Sequence, residues 1–235
     1  MPTKLLWRVL LGLIIIMTAG GCSSIFGADN GEDHEASGLN GPVLSLLVDG
    51  SERTDSRDKQ LSGTYRKGMT VKELLKASGV VVFAEDGKSI LSVSDVSLDP
   101  GIDWELRVNG KTITGTDWDN SLDKDSHLVI TPKLRSGEAS LQSVILVVNG
   151  GSERAELSHS YIIPFAEDLT VRSVLKSCGM VRLSEDNKAV LSVKDYIPLT
   201  SELWMLKVNE KQLLDSGMDM KLRPQDEVEL SLVLR

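Results

Sequence analysis

Val71-Lys72-Glu73-Leu74-Leu75-Lys76-Ala77-Ser78-Gly79 returns one hundred residues later as Val171-Arg172-Ser173-Val174-Leu175-Lys176-Ser177-Cys178-Gly179. The same offset carries Leu91-Ser92-Val93-Ser94-Asp95 onto Leu191-Ser192-Val193-Lys194-Asp195. It also carries Trp104-Glu105-Leu106-Arg107-Val108-Asn109-Gly110-Lys111 onto Trp204-Met205-Leu206-Lys207-Val208-Asn209-Glu210-Lys211. A constant offset of this size means two copies of one domain, since solenoid repeats have periods of roughly 20–50 residues. One small fold must therefore account for both halves.

The opening stretch reads as a helix. Val71, Leu74 and Leu75, like Val171, Val174 and Leu175, fall on one helical face. Thr70 precedes the first helix as a cap, and Glu73 completes a capping box; Thr170 caps the second, where Ser173 replaces the Glu. Ser78 and Cys178 extend the apolar face, and Gly79 and Gly179 stand where a left-handed residue ends a helix. Working outward, Val43–Val48 ends at the turn signal Asp49-Gly50, and Ser143–Val148 ends at Asn149-Gly150. A second strand is expected at Gln60–Arg66, where alternation is weak, and at Ser160–Phe165, where it is clearer. Further strands are expected at Ile90–Val93, at 104–108 with its counterpart, at Leu128–Ile130 and at Val228–Leu232.

Two strands, one capped helix, then more strands is a β-grasp order. The expected fold class is α+β: two tandem β-grasp (ubiquitin-like) domains, each a mixed sheet with one packed helix. Residues 43–134 form domain 1, 135–142 a linker, and 143–235 domain 2. The linker is short, so the domains should sit close. Aromatic residues make up only 4 % of the chain, so the cores must come from Leu, Val and Ile.

The N-terminus reads as an address. Lys4 and Arg8 form a basic n-region and Val9 to Met17 an apolar h-region too short for a mature membrane span. Ala19-Gly20-Gly21-Cys22 resembles a bacterial lipobox, with Ala19 where Leu is usual. The resemblance implies a signal peptide over 1–21 and lipidation of Cys22, an acyl anchor in the membrane of the bacterial cell envelope, and a chain on its extracytoplasmic side. An ordinary signal peptide with an incidental cysteine, and an uncleaved anchor, are the alternatives. Residues 22–42 are rich in Gly, Ser, Asp, Glu and Asn and read as a flexible tether. Losing Lys4 and Arg8 takes the formal charge from −8 to about −10. An acidic chain without basic runs is not expected to bind nucleic acid.

Thr-Val-x-x-x-Leu-Lys-x-x-Gly from Thr70 to Gly79, Trp104-x-x-x-Val108-Asn109-Gly110, and the ending Leu222-x-x-x-Asp226-x-Val228 together resemble the DUF4430, or transcobalamin-C-terminal-like, β-grasp family. Tyr65 to Leu75 is also similar to soluble-ligand-binding β-grasp modules. The resemblance covers most of each repeat. It implies a binding module, with cobalamin-type ligands among the family's. Here Leu106 and Leu206 replace an expected aromatic, Glu210 replaces the Gly of Val-Asn-Gly, and the Gly- and aromatic-rich segment before the Trp is not recognisable.

Chemistry is sparse. His34, His127 and His159 have no metal-ligand spacing. Cys178 reads as a core thiol, and once Cys22 is lipidated no disulfide remains. No catalytic triad and no phosphate loop recur in both copies, so no enzyme and no cofactor are expected. Asp117, Asp119, Asn120, Asp123 and Asp125 lack the glycine and final Glu of a calcium loop and read as a solvated turn. Trp118 has no aromatic counterpart, so it is either an exposed contact or local packing.

Trp104 and Trp204 each lead a strand ending at Asn109 or Asn209. Either they plug their own cores, with Asn making the turn, or Trp104, Asn109, Trp204 and Asn209 line a ligand edge. The expected function is a non-catalytic, lipid-anchored adaptor for an envelope protein or polymer. The alternative is a small-molecule capture protein, for example for a corrinoid, with its cleft between the domains.

Overall fold

The helices form where their local signals lie. Thr70 Oγ1 accepts from the Glu73 N–H at 3.2 Å, and the Glu73 carboxylate accepts from the Thr70 N–H at 2.9 Å. Thr170 and Ser173 repeat the exchange at 3.2 and 2.8 Å. These boxes open α1, Val71–Ser78, and α2, Val171–Ser177. Gly79 and Gly179 close them at φ of 71° and 69°, a region that costs a side-chain-bearing residue about 1–2 kcal/mol. Val71, Leu74 and Leu75, and Val171, Val174 and Leu175, are buried as their spacing requires.

The structure is a computed structural model describing residues 41–53, 61, 63–85, 87, 89–137 and 140–235. The signal peptide, Cys22 and nearly all of the expected tether lie outside the described residues. No described helix is long and apolar enough to cross a membrane.

In the first repeat the strands are β1 (Val43–Val48), β2 (Ser51–Glu52), β3 (Val81–Phe83), β4 (Ile90–Val93), β5 (Val96–Leu98), β6 (Ile102–Val108), β7 (Lys111–Thr112) and β8 (His127–Leu134). The second repeat has β9 (Ser143–Asn149), β10 (His159–Pro164), β11 (Val181–Leu183), β12 (Val190–Val193), β13 (Glu202–Val208), β14 (Lys211–Gln212) and β15 (Glu227–Leu234). The result is a strand-dominated α+β fold. β2-β1-β8-β6-β7 form one mixed sheet, in which β1 runs parallel to β8. The second sheet, β14-β13-β15-β9-β10-β5-β4-β3, is eight strands wide and crosses the repeat boundary.

That crossing joins the copies. β10 pairs in parallel with β5, aligning Ser160, Tyr161 and Ile162 with Val96, Ser97 and Leu98. The Ser160 N–H donates to Asp95 C=O, and the Asp99 N–H to Ile162 C=O, both at 2.9 Å. β9 and β10 are therefore covered on both faces, as their near-continuous apolar sequences allow. Val144, Leu146, Val148, Tyr161 and Ile163 face the second core, whereas Ile145 and Ile162 belong to the first. Ser143 Oγ donates to Asp49 at 2.6 Å and Arg53 meets Glu227 at 2.8 Å across the same boundary. The repeats form one compact unit.

One expected strand is altered, and one strand of the first copy has no counterpart in the second. Among the described residues of Gln60–Arg66 none is in a strand: Gly63 and Thr64 form a turn, with the Thr64 and Tyr65 N–H groups both donating to Leu61 C=O. Between Gln60 and Arg66 only Leu61 and Tyr65 are large and apolar, too few to fill two faces; Tyr161, Ile162 and Ile163 do so in β10. The second copy also lacks a strand matching β5. Pro198 stands there without an N–H, and Glu202 Oε2 accepts the Leu199 N–H at 2.9 Å. Only a Val193–Tyr196 bridge remains, and β11–β12 stay a separate ribbon.

Ile162 is fully buried in the other repeat's core. Ile162→Ala is expected to destabilise the chain by about 2–5 kcal/mol. Urea denaturation should show both repeats weakening together, in one transition. His159 gives the boundary a pH dependence: its Nε2 lies 2.9 Å from Ser97 Oγ. Burial, then nearby Lys194, hold it below its ordinary 6.5, with Asp95 opposing. The folded state thus binds fewer protons than the unfolded one below that value. This contribution should be complete above about pH 6.5 and decline as the pH falls toward the lowered folded pKa. His159→Gln should flatten that part of the denaturation-midpoint profile.

Candidate functional site

β13 has an open edge, and its hydrogen bonds show which groups face outward. The Leu206 C=O accepts from the Leu213 N–H and the Ser201 C=O from the Arg235 N–H, both at 2.9 Å. Alternation in an antiparallel ladder then sends the backbone groups of odd residues toward β15 and those of even residues outward. The Glu202 N–H turns back to Leu199 C=O at 2.9 Å. The Trp204 N–H and C=O face away from the sheet.

A groove of about 600 Å³ runs along this edge. Trp204, Leu206, Leu213, Leu214, Met218, Val190 and Leu199 line it, together with the charged Lys188, Glu202 and Arg235. Leu199 and Leu214 are 55 % and 78 % exposed, which is high for apolar side chains beside one another. The Glu202 carboxylate is engaged internally. It accepts from the Tyr196 hydroxyl at 2.6 Å and from the Leu199 N–H, bonds that hold it below the usual carboxylate range and push the tyrosine up. Arg154 lies over the Tyr196 ring at 5.0 Å.

The structure distributes the four sequence-predicted residues differently from a common site. Both tryptophans lie two residues inside their strands, on the face shared with Leu106 or Leu206. Each is half-buried against its own core, with Nε1 buried and unpartnered. The asparagines lie five residues on, about 17 Å along the strand. Their side chains are committed to the fold: Asn109 Oδ1 accepts from the His127 N–H at 2.8 Å and Asn209 Oδ1 from the Glu227 N–H at 2.9 Å. Of the four, Trp204 alone lines the large groove. Trp118 is local packing, edge-on to Phe83 with centroids 5.8 Å apart. Asp117 closes its own turn, accepting from Thr114 N–H and Asn120 Nδ2, which lowers its pKa. Cys178 is buried, and desolvation raises its thiol pKa.

The groove residues missed in single-copy reading become visible when the copies are aligned. Leu199 stands where the first repeat has Asp99, Leu214 where it has Thr114, Leu203 where it has Asp103, and Met205 where it has Glu105. The second repeat replaces polar side chains with apolar ones around this one edge.

No protein-family model and no curated protein matches the chain. Among solved structures, the chain is similar to a protein of Ruminococcus gnavus ATCC 29149 provisionally described as metal binding. Identity is 17 % and the TM-score 0.32, over 40 % of this chain and 98 % of that one. At that level the likeness carries no argument about fold or ligand. Among the described residues, no three His, Cys, Asp or Glu side chains are grouped to hold a metal.

The β13–β14 turn is strained where β6–β7 is not. Asn209 and Glu210 have φ of 48° and 67°, whereas Asn109 and Gly110 meet the same need with a glycine. Glu210→Gly is therefore expected to raise stability by up to about 1 kcal/mol. Thermal unfolding of this variant checks the value, and Gly110→Glu should lower stability by a similar amount.

Proposed function

We propose that this chain is a non-catalytic adaptor of the bacterial cell envelope, anchored by lipid at Cys22, whose β-grasp-type repeats hold an envelope protein outside the membrane. The observation that carries the reading is the groove beside Trp204. It is open and mixed in character, and its loop leucines Leu199 and Leu214 contribute little to either core. Such a surface is costly to leave exposed and suits a protein contact. The first repeat, on this reading, acts as the platform that covers β10.

The rival is a corrinoid-type capture protein with its ligand between the repeats. Two adjoining cavities lined by both repeats measure about 280 and 300 Å³. That is the lower limit for a drug-sized ligand and small for a corrin. Neither is lined by Trp104 or Trp204. Paired strands also fill the boundary where a cleft would open. These features favour the adaptor.

A photo-crosslinking residue at Gln212, introduced into the full-length chain in cells, tests this reading. A discrete protein adduct is expected that Leu199→Glu abolishes and that Leu91→Glu, at an exposed position of the first repeat, leaves intact. An adduct indifferent to Leu199→Glu, or none at all, would remove the groove from consideration. Cys22→Ser should abolish palmitate labelling and release the chain from the membrane fraction. Stabilisation by a corrinoid that Trp204→Ala removes would instead establish the rival.

A further inference from the structure

The first repeat shows what the groove lacks. Arg135 is held there by Asp103 in a forked ion pair, with Nε at 3.3 and 3.2 Å from the two carboxylate oxygens and Nη2 at 2.9 Å. Glu105 likewise meets Arg107 at 2.6 Å and Lys133 at 3.3 Å. The second repeat keeps the arginine, as Arg235, but has Leu203 in place of Asp103 and Met205 in place of Glu105. Arg235 thus lines the groove with its fold-matched carboxylate removed. No ion pair to its guanidinium occurs among the described residues, and Glu202 is already engaged by Tyr196 and Leu199. Lys188 adds a second positive charge. In a chain of formal charge −8, two cations, Lys188 and Arg235, and one carboxylate, Glu202, line this groove.

We propose that the groove binds an extended peptide segment by strand addition to the open edge of β13, and that an acidic side chain of the peptide replaces the missing Asp103 counterpart at Arg235. This rests on the adaptor reading and names the chemistry of its partner. Three features define the occupant. The Trp204 N–H and C=O offer a main-chain hydrogen-bond pair to an adjacent strand. The leucines lining the groove favour apolar side chains at alternate positions, because neighbouring strand residues point to opposite faces. Arg235 presents a planar, forked donor that matches a carboxylate at both oxygens. A corrin or a neutral glycan offers no paired main-chain groups. A second copy of this chain, pairing β13 against β13, would set Arg235 against apolar Leu203 and Met205 and leave the cation unmatched.

The test is selection of a random ten-residue peptide display library on the purified, detergent-solubilised full-length chain. Selected sequences should alternate apolar residues and carry Asp or Glu at one preferred position. A synthetic peptide of the selected sequence should quench or shift tryptophan fluorescence. Its affinity should fall roughly tenfold or more with Arg235→Ala. Leu203→Asp should weaken it similarly, because the new carboxylate occupies Arg235 as Asp103 occupies Arg135. Unchanged thermal unfolding of both variants keeps the comparison valid. Selection on Arg235→Glu should exchange the acidic preference for a basic one, and N-methylation of the peptide residue facing Trp204 should abolish binding. Selection without an acidic preference, binding indifferent to Arg235, or binding that survives N-methylation would overturn the proposal. A concentration-dependent dimer that Leu203→Asp dissolves would overturn it in favour of a second copy. If peptides fail while the Gln212 adduct in cells still depends on Leu199, strand addition falls and the adaptor reading survives. If both fail, both fall.

Discussion

Everything in this molecule depends on one parallel pairing of three residues, β10 against β5. It is small as an interface, yet it decides how both cores are closed. Without β5, β10 would be an edge strand with Ile162 exposed on one face. Without β9 and β10, the first core would lack Ile145 and Ile162, two of its buried members. Parallel pairs need a long connection between their strands. Here the connection runs through most of β6 to β9, so the contact forms only when both repeats are largely in place. The duplicated chain has become one cooperative object held at its seam.

Once joined, the copies are free to differ. The first repeat is used on two sides: its helix covers its own sheet, and its β3-β4-β5 strip extends the other. Its outer β6 edge is dressed with Asp103, Glu105, Arg107, Lys133 and Arg135, an exposed lattice of ion pairs of modest individual worth. Such charge keeps an edge soluble and unwelcoming to other strands. The second repeat has Leu203, Met205 and Val233 in place of Asp103, Glu105 and Lys133, while keeping the arginine and a Lys207–Glu229 ion pair. The same backbone thus presents a heavily charged edge in one copy and a less charged one in the other.

How much of this was legible follows from the range over which each signal acts. The capped helices, the Asp49-Gly50 hairpin and the Trp-bearing strands are local, and the offset of one hundred residues doubles the evidence for each. The strand expected at Gln60–Arg66 failed because weak alternation was read by analogy with its richer partner. The seam was not legible, since Tyr161-Ile162-Ile163 advertises burial on two faces without naming what covers the second. Trp204 both packs on its own core and lines the groove, while Asn209 follows it for a structural reason: its side chain accepts from the Glu227 N–H. The groove itself was written in differences, Asp99 to Leu199 and Asp103 to Leu203, which appear only when the copies are compared position by position.

The stub at Tyr196–Pro198 has one more consequence. In the first repeat the matching segment is a socket and β10 is its plug, so a duplicated unit of this design carries the means to add further units end to end, within a gene or between chains. Pro198 removes a donor from the side that faces β12, and Glu202 accepts from the Leu199 N–H, whose counterpart at Asp99 bonds β10. Glu202 thereby takes up the donor that a further β10-like strand would need at this segment.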